Sequence, residues 1–591
     1  MSKRKSSTKK GDSVADISAS VYEAGLTVAA RRLRLVVVPV AIAATLALIR
    51  CSDRPMSTSA TDQVDQLFSL WNKPESPGCS LGISRNGTIV YEHGYGRANL
   101  DLGVAITPAS VFDAASISKQ FTAMSILLLA QRGQLSLDDD VGKYIPNWGD
   151  RRHTITIRHL LTHTSGLREA FLLQGFAPEI PQQINQQIVN ILTRARGFEF
   201  VPGSRFEYNN GGYTLLAAIV ERVSGQTLPA FAEATIFKPL GMMHTHFHDD
   251  AGRIVPNRAT GYSRAANGFR VAVRTYTDRV IGNAGVFTTV GDLLRWEQNF
   301  ADVRVGNPAL VTEMQTPAVA MSDTSGYGFG LEIARHRGLR TIGHGGGDEG
   351  RRTYVVRYPD HRLAIAVLCN LDEIDPGFLA RSIADILLSD RFPEPAVNTT
   401  GAAAAPVSVS LQDLQSKVGL YRDPSDESVG RIFIRDGKLM ASVNASDSGG
   451  FELTPIGRNR FVILGTPIVA EFVPPSSGKP QEIHVTGAAP KPTISQLITT
   501  SFTPSSAELR AFEGTYTSEE VHGTYTVVAR DSGLAIETPA RADIPLEPLF
   551  TDAFSGSNWS VVKFSRNPDR GVIAFTMHAA GMRGLRFNRT R

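Results

Sequence analysis

The sequence predicts an α+β fold in which an antiparallel sheet packed with helices is followed by two small antiparallel β-barrels. Residues 79–84, 88–92, 353–357 and 363–369 have the apolar patterns of strands and lie at the two ends of the first dense region. Helical patterns lie between them, which favours one sheet covered by helices. After residue 406 the pattern changes to short alternating segments, and their order repeats once, which indicates two copies of an all-β module.

Size and composition set the number of domains. A chain of 591 residues is too long for one hydrophobic core. Its 42% hydrophobic and 20% charged residues are ordinary for a globular protein. The formal net charge is +4 and part of it lies near the N-terminus, so we expect no nucleic-acid partner. We place the boundaries at 1–60 (basic tail and apolar segment), 61–392 (first domain), 393–410 (linker), 411–500 and 501–591 (two barrels).

The N-terminal segment has the features of a targeting signal. Residues 35–49 form a 15-residue uncharged, largely apolar run that follows three arginines within residues 31–34. As a helix the run would span roughly 22 Å, which is short for a bilayer core. A clean cleavage site is missing, and Arg50 directly before Cys51 argues against lipid attachment. An export signal, an uncleaved membrane anchor and a wrongly assigned start all remain open; the first two place the protein in the periplasm or elsewhere outside the cytoplasm.

The three cysteines, Cys51, Cys79 and Cys369, do not supply a disulfide framework. No C-x-x-C motif occurs, so a zinc or redox site built from cysteines has no support.

The elements of the first region follow from local signals. The turn signal at residues 85–87 joins the first two strands into a hairpin. Residues 116–132 predict a helix that ends at Gly133. This helix is apolar on nearly every side, which places it in the middle of a large domain. A second helix is predicted at residues 213–223.

The second half consists of a linker and a repeat. Residues 392–406 contain three prolines and four consecutive alanines, as a linker does. Residues 414–421 match 509–516 at an offset of 95, and 435–439 match 530–534 at the same offset. Each copy has about 90 residues and is rich in hairpins, so we predict a small antiparallel barrel or sandwich for each.

The first candidate chemical motif is Ser116-Ile117-Ser118-Lys119. Residues three apart lie on one side of a helix, so the Lys119 amine lies beside the Ser116 hydroxyl. A serine needs an adjacent base to act as a nucleophile, and a desolvated lysine can be neutral near pH 7. The alternative is that Ser116 only caps the helix and Lys119 is partly exposed.

Two further motifs follow along the chain. In Tyr208-Asn209-Asn210, the phenol of Tyr208 can relay a proton and the Asn210 amide can bind substrate or Lys119; the alternative is an ordinary helix cap formed by Asn209 or Asn210. His344 precedes three glycines, which permit close approach of a substrate and leave N–H groups free. His344 could orient substrate or assist proton transfer, and the alternative is a plain glycine-rich turn.

The three motifs, in this order, resemble those of the serine β-lactamase and penicillin-binding-protein superfamily. The nearest likeness is to its class C-like branch of esterases, D-aminopeptidases and carboxypeptidases. Residues 160–167, 208–225 and 239–242 agree with it, and the resemblance covers about residues 65–390. The two C-terminal modules are similar to the lipocalin-like barrels that follow the catalytic domain in D-aminopeptidases of this family.

The resemblance implies a role for each motif residue. Ser116 would form the acyl-enzyme, and Lys119 and Tyr208 would share the general base and acid work. Asn210 would hold Lys119 and the substrate amide. The backbone N–H groups of Ser116 and Gly347 would form the oxyanion hole, with Gly346 beside them. His344, a catalytic residue in this scheme, stands where the β-lactamases carry a lysine, which favours a peptidase or an esterase.

Several other sequence patterns either have two interpretations or do not indicate a site. The charged residues at 348–352 either recognise a charged substrate end or form a solvated turn. Residues 78–82 match G-x-S-x-G, but a strand runs into a hairpin there and not into a helix. Residues 345–350 match the dinucleotide fingerprint without the helix that must follow it. His244, His246 and His248 alternate on one strand, for which we favour a structural role over a metal site.

The sequence therefore predicts a hydrolase that transfers an acyl group to water through Ser116 without a metal or an organic cofactor. The leading substrate is a small peptide or amide, including peptides of D-amino acids, and the first alternative is a carboxylesterase of the same mechanism. A second alternative is an inactive binding or sensing protein with the barrels as ligand modules. Membrane attachment through residues 35–49 stays open, and the oligomeric state is not predicted.

Overall fold

The computed structural model describes most of the chain beyond its N-terminal segment. The described residues are 56–590 without 177–183, 273–279, 394–406, 444, 446–449, 464–465, 467, 488–490, 501, 531–532, 538–542, 557–560 and 580. The predicted targeting segment and residues 394–406 of the predicted linker lie outside these residues. Among the described residues, no helix is both long enough and apolar enough to cross a membrane.

The described part of the first domain contains fifteen strands. They are β1 (Cys79–Arg85), β2 (Thr88–Tyr95), β3 (Arg97–Asn99), β4 (Val104–Ala105), β5 (Phe112–Asp113), β6 (His246–Phe247), β7 (Tyr262–Ala265), β8 (Gly268–Val271), β9 (Val286–Thr288), β10 (Val319–Ser322), β11 (Ser325–Tyr327), β12 (Glu332–His336), β13 (Leu339–Asp348), β14 (Arg351–Tyr358) and β15 (Leu363–Cys369). Eight of them form one sheet in the order β10-β11-β12-β13-β14-β15-β1-β2. Every neighbouring pair is antiparallel, which confirms the predicted antiparallel sheet.

Helices pack on both faces of this sheet. They are α1 (Thr58–Leu67), α2 (Ser118–Gln131), α3 (Ile157–Leu161), α4 (Ala170–Gly175), α5 (Asn185–Arg194), α6 (Asn210–Ser224), α7 (Leu228–Ala232), α8 (Lys238–Leu240), α9 (Val290–Gln298), α10 (Pro308–Met314) and α11 (Pro376–Leu387). Short 3-10 turns lie at Ala115–Ile117, Val141–Lys143 and Pro359–His361, and a π-helical turn at Glu233–Phe237. Helices α1 and α11 share one apolar core with the outer face, and α2, α6 and α9 share a larger core with the inner face.

The two predicted helices are present. The first begins with the 3-10 turn Ala115–Ile117 and continues as α2, in which every residue from Ser118 to Leu129 is buried. This burial on all sides explains why its sequence is apolar on nearly every side, since the helix packs against α6, α7 and α10. The second is α6, which starts three residues earlier than predicted because Asn209 caps it.

Among the described residues, one disulfide, which the cysteine count did not predict, joins two neighbouring strands of the sheet. Cys79 in β1 and Cys369 in β15 lie directly opposite each other and form a disulfide bond, and both residues are fully buried. The two cysteines are 290 residues apart in sequence. Their pairing depends on the register of the sheet, which local sequence patterns do not specify.

The C-terminal part consists of two barrels, as predicted. The first contains α12 (Leu411–Gln415), β16 (Gly419–Arg422), β17 (Val429–Arg435), β18 (Lys438–Ser442), β19 (Phe451–Glu452), β20 (Thr454–Pro455), β21 (Arg460–Val462), β22 (Val469–Val473), β23 (Glu482–Thr486) and β24 (Thr493–Leu497). The second contains α13 (Ser506–Arg510), β25 (Gly514–Ser518), β26 (Gly523–Arg530), β27 (Gly533–Glu537), β28 (Ile544–Phe550), β29 (Ala553–Ser555), β30 (Val561–Arg566), β31 (Val572–Ala579) and β32 (Met582–Arg589). The second is a closed eight-stranded barrel; the first is a nine-stranded sheet whose two ends, β19 and β20, are consecutive in the chain.

The two barrels repeat the same local contacts. In the first, the Tyr421 hydroxyl donates to the backbone carbonyl of Lys417 at 2.8 Å. In the second, the Tyr516 hydroxyl donates to the carbonyl of Phe512 at 2.7 Å. A short capped helix precedes each of these two tyrosines, and the number of residues between helix and tyrosine is the same in both barrels. The sequence repeat is therefore a structural repeat.

Candidate active site

The Ser116 hydroxyl is presented by a tight turn before α2. Ala115 has a φ of 48°, in the left-handed region that residues with a side chain seldom adopt. The turn is held by the Ala115 N–H, which donates to Asp113 Oδ1 at 2.8 Å, and by the Ser118 hydroxyl, which donates to the Ala115 carbonyl at 2.6 Å. Backbone strain next to a half-buried serine is a common feature of functional sites.

Lys119 is fully buried, and its amine touches three oxygen atoms. The Nζ lies 3.1 Å from Ser116 Oγ, 2.9 Å from Asn210 Oδ1 and 2.8 Å from the carbonyl of Asn283. Burial lowers the pKa of Lys119 to about 7, although the nearby Glu169 carboxylate raises it. A neutral amine is therefore well populated at neutral pH. Of its three partners, only the serine hydroxyl has a proton to donate to that amine.

Tyr208 lies over the same amine. The Lys119 Nζ is 4.6 Å from the centre of the Tyr208 ring. Burial raises the pKa of Tyr208 well above its usual value, while the adjacent Ser116 hydroxyl lowers it. The Tyr208 hydroxyl is buried, yet no aligned hydrogen bond to it forms among the described residues. The phenol thus keeps its proton at neutral pH and is free to bind a group that enters the site.

Asn209 and Asn210 have different roles: Asn209 caps a helix, and Asn210 contacts Lys119. The Asn209 side chain accepts from the Gly212 N–H at 2.8 Å and caps α6. Asn210 is the first residue of that helix, and its side chain turns toward Lys119. The start of the helix thereby places the Asn210 side chain against the amine, two residues after Tyr208.

The glycine strand β13 runs alongside the nucleophile turn. A Cβ at Gly346 would lie 2.2 Å from Thr353 Oγ1 and 2.3 Å from the carbonyl of Ala114. Only glycine allows such an approach. The Thr353 hydroxyl also donates to the Ala114 carbonyl at 2.9 Å. The contact brings Gly346 and the exposed Gly347 next to the residues that lead into Ser116.

His344, at the start of the glycine run, is buried and belongs to a directional chain of hydrogen bonds. The Asn209 N–H donates to His163 Nδ1 at 3.0 Å, so His163 Nε2 carries the proton and lies 3.2 Å from the Tyr327 oxygen. The Tyr327 hydroxyl then donates to His344 Nε2 at 3.0 Å, and His344 Nδ1 donates to the Gly345 carbonyl at 2.6 Å. Burial lowers the pKa of His344 to about 3, so the ring is neutral. Both of its nitrogens are already bonded, which orients the ring.

Three residues of this site were not found from the sequence: His163, Tyr327 and Glu169. His163 lies in the stretch 160–167 that carries part of the family resemblance, which is the one signal that could have pointed to it. Glu169 is a buried carboxyl group that accepts from the Asn210 N–H at 2.8 Å and lies near Lys119. Burial raises its pKa. Tyr327 stands in a short strand that has no motif.

The other patterns noted in the sequence lie away from this chemistry. Ser80 is buried in β1, where its hydroxyl donates to the Thr107 carbonyl at 3.3 Å. Residues 345–350 form a hairpin between β13 and β14, with no helix after it. At that hairpin, Arg351 and Arg352 donate to the carbonyls of Glu349 and Asp348. His246 Nε2 is 3.3 Å from His248 Nδ1, but the described residues contain no group of three or more ligands arranged for a metal ion.

Comparisons with known proteins find a family model and relatives that this chain resembles. The family model described as Beta-lactamase matches residues 64–388. A penicillin-binding protein of Bacillus subtilis (strain 168) is 32% identical over 341 residues, which cover 54% of this chain and 73% of that protein. A D-aminopeptidase of Brucella ovis is 30% identical over 302 residues, or 50% of this chain and 57% of the enzyme, so the match spans little more than half of its length.

A solved structure shares the fold. The octameric penicillin-binding protein homologue from Pyrococcus abyssi superposes with a TM-score of 0.50 and 22% sequence identity. The superposition covers 74% of this chain and 98% of that one.

Proposed function

The chain belongs to the Beta-lactamase family, whose members include serine hydrolases, and on this premise we propose that it hydrolyses small peptides or amides through an acyl ester on Ser116. The observation that carries the proposal is the contact between Ser116 and a fully buried lysine whose pKa is about 7. A neutral lysine beside a serine is the base that this hydroxyl needs in order to attack a carbonyl.

Acylation follows from the contacts around Lys119. The neutral Nζ takes the Ser116 proton as Oγ bonds to the substrate carbonyl carbon. The carbonyl oxygen gains the negative charge and is stabilised by the N–H groups of Ser116 and Gly347, which a preorganised site supplies without rearrangement. Asn210 holds the resulting ammonium through its side-chain oxygen, and the Tyr208 ring lies over it.

Breakdown of the intermediate needs an acid. Tyr208 keeps its proton because burial raises its pKa, so its phenol can protonate the leaving amine and recover a proton from the Lys119 ammonium. The C–N bond breaks and the acyl-enzyme remains. Water then repeats the sequence with Lys119 as the base, which releases the acid and restores Ser116.

The substrate class is the finer part of the proposal. We favour an amide or a peptide, including one with D-amino acids, because a relative is named D-aminopeptidase. His344 is neutral, buried and bonded at both nitrogens, so it does not bring a positive charge to the site as a lysine at that position would. A carboxylesterase is the second candidate, since the open Tyr208 hydroxyl would protonate an alkoxide as readily as an amine.

Active-site labelling tests the proposal. A fluorescent fluorophosphonate should add one phosphonyl group, located on Ser116 by mass spectrometry, and the Ser116→Ala variant should not be labelled. Hydrolysis of D-alanyl p-nitroanilide should exceed that of p-nitrophenyl butyrate if the enzyme is a peptidase, and the reverse order would favour the esterase. Equal labelling of the parent and Ser116→Ala would refute the serine nucleophile, and a parent that is neither labelled nor active would leave the inactive binding protein as the explanation.

We also propose that the protein works outside the cytoplasm. The apolar run at residues 35–49 supports export, and the buried disulfide between Cys79 and Cys369 supports it independently, because stable disulfides are rare in a reducing cytosol. Fractionation of cells that express the full chain, followed by alkylation of free thiols under denaturing conditions, tests both points. The protein should occur in the envelope or outside the cell with Cys79 protected; a cytoplasmic protein with both thiols alkylated would overturn the proposal.

A further inference from the structure

The last hairpin of the second barrel reaches the residues behind the active site. The Glu169 N–H donates to the carbonyl of Gly581 at 2.6 Å. A Cβ at Gly581 would lie 2.9 Å from the Cβ of Glu169, so the hairpin is in close contact there. Glu169 in turn accepts from the Asn210 N–H and lies near Lys119. One side of the catalytic site thus rests on the barrel.

Arg583, in β32 of the same hairpin, binds the chain segment that carries Tyr208. Its Nη1 lies 2.8 Å from both carboxylate oxygens of Glu207 and 3.2 Å from Glu199 Oε2. Its backbone N–H donates to both oxygens of Glu199, at 2.9 and 3.0 Å. The Nε reaches Asp426 of the first barrel at 3.3 Å. A single guanidinium therefore joins both barrels to the catalytic domain.

Glu207 directly precedes Tyr208, and this short segment is held from two sides. On one side, the Glu207 N–H donates to the carbonyl of His163 at 2.9 Å, and the His163 ring lies tilted against the Tyr208 ring, with 4.3 Å between the ring centres. On the other side, Arg583 holds the Glu207 carboxylate. Arg205 also pairs with Glu207, but its side chain is 48% exposed, whereas that of Arg583 is 20% exposed. The more buried contact sets the position more firmly.

The charges around Arg583 show what its removal would do. The Glu199 side chain is fully buried, and the charge of Glu207 raises the pKa of Glu199 in addition to the effect of burial. Without the guanidinium, Glu199 would keep Arg168 as a partner at 3.0 Å, whereas Glu207 would lose its more buried partner beside another carboxylate and would move toward solvent. Tyr208 would follow it, since the two residues are adjacent.

Apolar contacts keep the barrel docked independently of these charges. Leu173, Phe176 and Ile191 of the catalytic domain share one buried cluster with Tyr525 and Phe587 of the barrel. The second barrel therefore stays attached when one polar contact is lost, and the effect of Arg583 on the site can be measured separately.

We propose that Arg583 is a positioning residue of the active site, which places the Tyr208 hydroxyl over Ser116 and Lys119 by holding Glu207 and Glu199. Through this one residue, the second barrel then supports the active site. This inference rests on the proposed function, in which Tyr208 is the proton donor. A displacement of about 1 Å at such a group costs up to roughly 100-fold in rate.

The test compares Arg583→Ala with variants that share its surroundings. Arg583→Ala should lower kcat on D-alanyl p-nitroanilide by roughly 10- to 100-fold, with KM changed by less than about threefold, because the lost alignment acts on the transition state. Glu207→Gln keeps the shape and removes the charge, so kcat should fall in the same direction. Arg583→Lys keeps the charge but lacks the planar guanidinium with its paired N–H donors. Its kcat should lie between those of the parent and Arg583→Ala.

Two control variants separate positioning from docking. Tyr525→Phe removes a hydroxyl of the barrel that donates to the Phe176 carbonyl on the same interface, away from Glu199 and Glu207. Arg586→Ala removes an exposed arginine of β32 that contacts Asn588 within the barrel. Both should keep the kcat of the parent. A folded Arg583→Ala with the parent kcat, or an equal loss of kcat in Tyr525→Phe, would overturn the inference.

The remaining outcomes distinguish the role of Arg583 from the proposed function. If Arg583→Ala does not fold, unchanged kcat in both Glu207→Gln and Arg583→Lys contradicts positioning, and a loss in both supports it. A parent protein that neither hydrolyses the amide nor accepts the fluorophosphonate on Ser116 refutes the proposed function. Full activity in these variants of an active parent refutes only the role of Arg583.

Discussion

The Nζ of Lys119 lies 3.1 Å from the Oγ of Ser116, and among the three oxygen atoms that this nitrogen contacts, only the serine hydroxyl carries a proton. The other two, an amide side-chain oxygen and a backbone carbonyl, accept hydrogen bonds and do not donate them. They orient the amine toward Ser116. The contacts around this one buried nitrogen therefore permit proton transfer from Ser116 to Lys119 and from no other contacting group.

The first prediction concerns pH. Because burial lowers the pKa of Lys119 to about 7, the protonated and inactive form accumulates below this pH. We expect kcat/KM to fall tenfold per pH unit on the acidic side, with an apparent pKa near that value. Lys119→Arg should lose about 100-fold or more of kcat at every pH, since arginine stays charged. The exposed Lys143→Arg serves as the control. A flat profile from pH 5 to 8 in the parent would contradict a lysine base.

The second prediction concerns Glu169, whose charge raises the pKa of Lys119. Glu169→Gln removes the charge and keeps an oxygen for the Asn210 N–H. The pKa of Lys119 should fall further, so the acidic limb of kcat/KM should move to lower pH. Glu313→Gln, which alters an exposed pair with Arg158, should leave the limb in place. If the acidic limb of the kcat/KM profile of Glu169→Gln stays in place or moves to higher pH, this carboxylate does not raise the pKa of Lys119.

The third prediction concerns the glycine strand. In Gly346→Ala the new methyl group would meet the Ala114 carbonyl at 2.3 Å, so β13 must move away from the turn before Ser116. The N–H groups proposed to bind the oxyanion would separate, and kcat should fall by roughly 100-fold or more. Gly457→Ala, whose Cβ has no neighbour closer than 3.7 Å, is the matched control. Parent-like kcat in a folded Gly346→Ala would exclude this strand from the oxyanion site.

The sequence predicts those parts of the molecule that depend on local patterns. The buried helix α2, the capped helix α6 and the repeated barrels are all visible in periodicity, turn residues and spacing. The partners of His344 are not, because Tyr327 meets the histidine only through the course of the chain in three dimensions. The disulfide depends likewise on the pairing of β1 with β15, which are 290 residues apart. The docking of Arg583 on Glu207 involves two domains and leaves no trace in either local sequence.

The fourth prediction concerns the disulfide. Closing a loop of 290 residues limits the unfolded chain, and a native disulfide contributes about 2–4 kcal/mol to stability. A Cys79→Ala, Cys369→Ala double variant should have a lower Tm and near-parent kcat, because the bond lies in the core shared with α11. A reducing agent should lower the Tm of the parent toward that of the variant and leave the variant unchanged. Equal Tm values for parent and variant under oxidising conditions would show that the bond does not stabilise the sheet.

The fifth prediction concerns the chain of hydrogen bonds that ends at His344. Tyr327→Phe removes the hydroxyl that joins His163 to His344, so two buried imidazole nitrogens lose a partner at a cost of about 1–3 kcal/mol each. His344→Asn breaks the same link from the other end, because the shorter side chain can still donate to the Gly345 carbonyl but cannot reach Tyr327. Each variant should lower kcat/KM, and the double variant should lower it by less than the product of the two factors.

The coupling distinguishes two roles for His344. If it acts through its orientation by Tyr327, loss of either residue has the same consequence and the effects do not multiply. If His344 contacts substrate independently, the two factors multiply. The pair of His336 and Tyr358, joined at 2.8 Å and outside the site, provides the control, since Tyr358→Phe should leave kcat/KM unchanged. Independent effects of Tyr327→Phe and His344→Asn would therefore assign His344 to the substrate and not to the support of the glycine strand.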